Sequence, residues 1–204
     1  MAKSLERIEA EKSVDLKDPA LAAFLAWLIP GLGHLYQGRT AKAALFFICI
    51  MGTFVYGLSL GSSSAMGWGR VVYFSWRDGD KRLPYLCQVG VGVPAMPALV
   101  QSLRVSDGNK PLLGGFMAPP PLSGQREGND GFTYRDEYGQ PTLDTLNYHM
   151  ARYFELGTVF TMIAGLLNVL AIYDAWGGPV FMETADKDDE DEQPDNETSP
   201  DDAS

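Results

Sequence analysis

Cysteine and histidine are scarce in this chain, two of each among 204 residues, and the chemistry they support is scarce with them. Cys49 and Cys87 lie inside apolar runs, with no CxxC pair and no Cys/His cluster. They read as small hydrophobes, not as a disulfide or metal framework. His149 has neither a carboxylate nor a histidine at i+4, so no metal site is assigned to it. Ser62, Ser63, Ser64 and Ser75 have no adjacent base or oxyanion framework, so no catalytic residue and no cofactor are assigned either. A basic block interleaved with aromatics is missing, which argues against nucleic acid as a partner. Charge itself is absent over long stretches. Residues 19–29, 43–69, 83–103 and 156–173 carry none.

What is present is unevenly distributed. The formal charge is −10, but residues 183–204 hold 11 Asp or Glu and one Lys, leaving 15 acidic and 15 basic groups in the rest. The near-zero mean hydropathy has the same origin, since a polar tail and polar loops dilute strongly apolar segments. Uncharged length on this scale is what a bilayer requires of a helix. The expected fold is therefore an all-α integral membrane protein of about four transmembrane helices, with the lipid bilayer as its first partner. A cleaved signal peptide is disfavoured, because residues 1–18 mix basic and acidic groups and no small-residue cleavage site follows the first run.

The chain divides as follows. Residues 1–18 form a charged leader, and 19–60 a tight two-helix transmembrane hairpin. Asp18-Pro19 supplies an N-cap and a first-position proline, and Thr40 is placed to cap the second helix. Residues 19–36 reach about 27 Å if the helix runs on through a kink at Pro30, which is preferred here over a re-entrant half-helix. Residues 61–82 are a loop, with a strand-like run at 71–76 before Asp78-Gly79. Residues 83–103 are a kinked third span, the alternative being a β-hairpin across Asp78-Gly79. Residues 104–141 form a long Gly/Pro-rich extramembrane loop, and 142–180 one amphipathic-to-transmembrane helix. The tail, 181–204, is expected to be disordered. Asn196-Glu-Thr198 matches a glycosylation sequon, a short and common pattern.

Small residues mark two helix-packing seams. One runs through Thr53, Gly57 and Gly61, and the other through Gly157, Thr161, Gly165 and Asn168. The Asn168 side chain is expected to hydrogen-bond a neighbouring helix. Between the first two helices stands Pro30-Gly31-Leu32-Gly33-His34-Leu35-Tyr36-Gln37-Gly38-Arg39. Gly31, Gly33, His34 and Arg39 could form an anion site for a lipid phosphate. The plainer alternative is a hydrogen-bonded histidine that fixes the turn.

This turn resembles the short-linker two-transmembrane-helix domain, whose pattern is Gly-x-Gly-x-His-x-Phe-Tyr-x-Gly. Gly31, Gly33, His34, Tyr36, Gly38 and Arg39 carry the likeness, with His34 and Tyr36 one residue closer than in that pattern and no Arg after the His. The strings at residues 85–99 and 155–174 extend a second likeness over most of the chain. They are similar to an uncharacterised bacterial multi-pass membrane-protein family, a domain of unknown function. That resemblance implies location, the inner (cytoplasmic) membrane, and architecture, but no chemistry.

The function expected from these features is that of a non-enzymatic scaffold or accessory subunit. It would act through helix–helix association with a membrane-protein partner or a second copy. A lipid-headgroup-binding protein or membrane enzyme using His34 and Arg39 is one alternative. An oligomeric transporter component is another.

Overall fold

The computed structural model describes residues 17–127 and 131–177. The leader up to residue 16 and the acidic tail with its sequon lie outside them. Asp18 opens α1 (Pro19–Leu28), its Oδ1 accepting from the Ala20 N–H at 2.9 Å and the Leu21 N–H at 3.4 Å. Pro19 sits where the helix needs no donor.

The helix does not run on through Pro30. Ile29 is extended, Gly31 takes a φ of 83°, and the chain reverses into α2 (Leu32–Tyr36). That left-handed conformation costs glycine little. The reversal is held by close approach: a Cβ on Gly33 would collide with the Ala22 carbonyl and stand 2.9 Å from Ala26 Cβ. The two ends of the unit meet, since Lys17 Nζ donates to Tyr36 O at 2.9 Å. The expected kinked span over 19–36 is thus replaced by a helical hairpin. Its first arm, at about 1.5 Å per residue, is roughly 15 Å long, half a hydrocarbon core.

Helix α3 (Thr40–Leu60) follows, with Arg39 at its N-cap position and no side-chain cap, so Thr40 begins the helix rather than capping it. After a long excursion the chain returns as α7 (Arg152–Gly177). The two helices run antiparallel along their whole lengths. Gly57 and Gly61 lie against Gly157 at one end, and Lys42 reaches Asp174 at the other. Among the described residues these two are long and apolar enough to cross a membrane, against the four spans expected.

The segment expected as a third span is broken. It forms α4 (Tyr85–Gln88), two short 3₁₀ turns (Val89–Val91 and Val93–Ala95) and α5 (Pro97–Ser106). Gly92, at φ 85°, reverses the chain, and Pro94 and Pro97 start new turns rather than continue the old helix. Tyr85 Oη donates to Ala95 O at 2.9 Å, tying the outgoing arm to the return. This is a second helical hairpin. Its tip packs on α7, where a Cβ on Gly90 would stand 2.7 Å from Gly165 O, and against α1, where Gly92 abuts the Trp27 carbonyl.

The intervening loops fold into a cap. Val71, Val72 and Tyr73, expected in a loop, are fully buried in the main core with Phe54, Leu146 and Phe154. Two short antiparallel ladders depart from the all-α expectation. β1 (Trp76–Arg77) pairs with β2 (Asp80–Lys81) about the Asp78-Gly79 turn, and β3 (Gln125–Arg126) pairs with β4 (Tyr134–Arg135). The Arg70 guanidinium, 3% exposed, pins the cap. It donates to Met66 O at 3.0 Å, Gly115 O at 2.9 Å, Gly114 O at 3.0 Å and Gln140 Oε1 at 2.6 Å. Burial, with the Arg135 charge, lowers its pKa to about 10. Helix α6 (Leu143–Met150), capped by Thr142, ends at Ala151. There a φ of 41° breaks the helix that apolar spacing had suggested would continue into α7.

Candidate functional site

His34 lies on α2, fully buried, with its ring 4.8 Å from that of Phe46. Its Nε2 is 2.6 Å from Asp174 Oδ2, near the C-terminal end of α7. A carboxylate only accepts, so Nε2 carries the hydrogen, and in the neutral ring Nδ1 then bears the lone pair. Nδ1 is buried with no hydrogen-bond partner among the described residues. Lys42 Nζ meets both Asp174 oxygens, at 2.7 and 2.6 Å, and the Arg39 guanidinium stands 3.6 Å from Oδ2. Gln37 Nε2 donates to Ala175 O at 2.7 Å. One carboxylate thus gathers the turn, the start of α3 and the end of α7.

Burial holds the His34 imidazole below its ordinary value, aided by the Arg39 and Lys42 charges and opposed by the bond to Asp174. Protonation would place a second N–H at Nδ1 with nothing to receive it.

The four residues grouped as an anion site take different places. Gly31 faces the backbone of Ala43 and Gly33 that of Ala22, while His34 faces Asp174. Asp174 holds the position between His34 and Lys42 that a phosphate would need. Arg39 alone is loosely engaged, 3.5 Å from Gln37 Oε1 besides its distant carboxylate.

The seam residues separate into two groups. Gly57, Gly61, Gly157 and Thr161 meet where α3 crosses α7: a Cβ on Gly57 would stand 2.9 Å from both Gly157 O and Thr161 N. Gly165 and Asn168 serve other elements. Gly165 abuts the Cys87 carbonyl, and Asn168 Nδ2 donates to Ala26 O at 3.1 Å and Gly90 O at 2.9 Å. Fully buried, Asn168 bridges the end of α1 to the tip of the second hairpin.

Sequence spacing did not connect three further participants to these sites. Gln88 Nε2 donates to Thr161 Oγ1 at 2.8 Å and to Val71 O at 3.2 Å. Arg82 donates to Thr158 Oγ1 at 2.8 Å and lies over the rings of Tyr73 and Phe154. Asp174 is the third, 140 residues from His34. The available signals were a lone Gln inside an apolar run and an Asp closing another, since such groups require partners when buried.

Among the described residues no group of three or more His, Cys, Asp or Glu could hold a metal ion. No curated protein and no solved structure matches the chain. A family model described as "Family of unknown function (DUF6677)" matches residues 21–188. With most of its length inside that match, the chain belongs to this family of unknown function.

Proposed function

We propose that the protein is an integral membrane protein with two spans and two re-entrant hairpins entering from opposite sides, acting as a scaffold or accessory subunit. The bilayer proposed is the inner (cytoplasmic) membrane, as the family likeness implies. Only 28% and 33% of the most apolar windows of α3 and α7 are buried, whereas the core helix of a water-soluble protein is mostly covered. Leu45, Ile48 and Val55 on α3, and Val159, Leu166 and Leu170 on α7, face outward. Lipid accepts such faces at no cost, and water does not.

The hairpins fit the same setting. The α1–α2 hairpin begins and ends beside the Asp174 end of α7, and the residue 83–106 hairpin descends from the Thr158 end. The end of α1 and the tip of the second hairpin meet at Asn168, within the apolar stretch of α7. Irregular backbone at that depth is tolerated only when protein covers it, and here α7 and α1 do so.

The scaffold role is carried by one observation: the polar side chains of the apolar layer tie chain segments together. Thr158, Thr161, Asn168 and Asp174 each receive or make a bond that joins α7 to another part of the chain. The small-residue seams are spent within the chain, so a partner must use the outward faces or the cap. A transporter component is the second reading, favoured by two opposed hairpins that meet beside α7. Close packing of Gly90 on Gly165 closes that point in this conformation.

The test is to isolate tagged full-length protein from its native membranes in mild detergent and identify what accompanies it. A scaffold brings a membrane protein at fixed stoichiometry that survives alkaline washing of the membranes before solubilisation. A monomer with no partner refutes the scaffold role.

A further inference from the structure

The segment that follows α5 is clamped in a form that turns two leucines outward. Leu113 takes a φ of 49° and Met117 one of 54°, and Gly114 and Gly115 between them lie at 65° and 86°. That left-handed region suits glycine but strains a leucine, so the surroundings must impose it. Two buried polar side chains do so. Gln101 Nε2 donates to Leu112 O at 2.8 Å and to Phe116 O at 2.9 Å, and its Oε1 accepts from the Leu112 N–H at 2.9 Å. Arg70 donates to the carbonyls of Gly114 and Gly115. What the clamp presents is apolar. Leu113, 82% exposed, is the most exposed large apolar side chain among the described residues, and Leu112 beside it is exposed as well. Holding leucines toward water is a cost that a plain connection has no reason to carry.

The loop's position names what it meets. Gln101 lies five residues back from the end of α5, about 8 Å toward the hairpin tip at 1.5 Å per residue. The loop it holds is thereby drawn back beside the hairpin, whose Val100 and Leu103 are exposed on the same stretch. Trp68, a residue type suited to a membrane interface, is exposed too and stacks on Phe116, with ring centroids 6.3 Å apart. Cations stand at the loop's base. Arg104 Nε donates to Lys110 O at 2.8 Å, and both side chains are exposed, against the carboxylate of Asp107 in the same turn. Neither cation is ion-paired among the described residues. Leucines beside exposed cations match the two layers of a phospholipid surface, acyl chains for the one and phosphates for the other.

We infer that the Leu112-Leu113 loop of the cap dips into the adjoining leaflet, its leucines among the upper acyl chains and Arg104 and Lys110 at the headgroup phosphates. The inference rests on the membrane placement proposed above. It adds a third contact with the bilayer, beside the two spans and the hairpins, and fixes the cap against the membrane surface.

The experiment uses the full chain, with Cys49 and Cys87 replaced by Ser, returned to vesicles of phosphatidylglycerol and phosphatidylcholine. Leu113→Cys, at a position too exposed to disturb the core, carries a bimane fluorophore. Asn109→Cys and Ile48→Cys serve as references for water and for lipid. Quenching by a nitroxide on the upper acyl chain should be about threefold stronger at 113 than at 109, and close to that at 48. Iodide on both sides of the vesicle should give the reverse order, strongest at 109. Equal quenching at 113 and 109 overturns the proposal. So does a label at 113 open to iodide in these vesicles but shielded in native membranes, which would assign the loop to a protein partner. Arg104→Gln with Lys110→Gln should lower the lipid-borne quenching at 113 by about half, and an unchanged value overturns the phosphate contact. Should alkaline washing release the protein from membranes, the membrane placement itself fails; integral behaviour with position 113 in water removes only this contact.

Discussion

The surroundings of His34 favour the neutral ring: Nε2 donates to Asp174, and a buried Nδ1 has no acceptor beside it among the described residues. Its folded pKa lies below the ordinary 6.5 because burial disfavours the charged ring. The unfolded chain therefore binds more protons than the folded one as pH falls, and stability falls with it. The contribution is complete above pH 6.5 and is lost on acidification through the lowered folded value. Thermal unfolding in detergent should show a lower midpoint at pH 5.5 than at pH 7.5, and His34→Asn should shrink that difference. An equal pH response in both proteins would place the sensitivity elsewhere. The histidine and its turn were legible in the sequence, as an isolated titratable ring among glycines. Its partner was not. Asp174 looks like an interfacial residue beside Trp176, and no local spacing rule joins groups 140 residues apart.

At the scale of elements, the glycines divide by what lies above them. Gly57 faces Gly157 and Thr161 with no room for a Cβ, whereas a Cβ on Gly52, five residues earlier on another face of α3, would meet nothing within 4 Å. Gly57→Leu should separate α3 from α7, costing about 2–4 kcal/mol in a detergent unfolding assay. Gly52→Leu should change stability by less than about 0.5 kcal/mol. Similar effects at both positions would mean that the α3–α7 seam is not formed as described.

The start of α1 was readable from Asp18-Pro19, and both long helices from their uncharged length. The two reversals were not. A proline inside an apolar run fits a kinked span as well as a hairpin. What decides is packing of Gly33 on Ala22 and of Gly92 on Trp27, contacts between segments that periodicity does not relate. The cap was missed for a similar reason. Val71, Val72 and Tyr73 sit in a polar stretch, and their burial comes from α3, α6 and α7 closing around them.

For the whole molecule, the count of spans decides the sidedness of every loop. Four spans would put residues 61–82 on the side of the leader and residues 104–141 opposite. Two spans and two re-entrant hairpins put both loops together, as the shared cap around Arg70 requires, since it bonds Met66, Gly115 and Gln140 at once. The leader, the Arg39 turn and the tail then share the other side. Cysteine labelling in intact cells tests this most directly. Asp78→Cys, Asn109→Cys, Ser13→Cys and Ser199→Cys would be made singly in a full chain with Cys49 and Cys87 replaced by Ser, and probed with a membrane-impermeant maleimide before and after permeabilisation. The two-span account predicts that positions 78 and 109 react from one side, and positions 13 and 199 from the other. Labelling of 78 and 109 from opposite sides would contradict it.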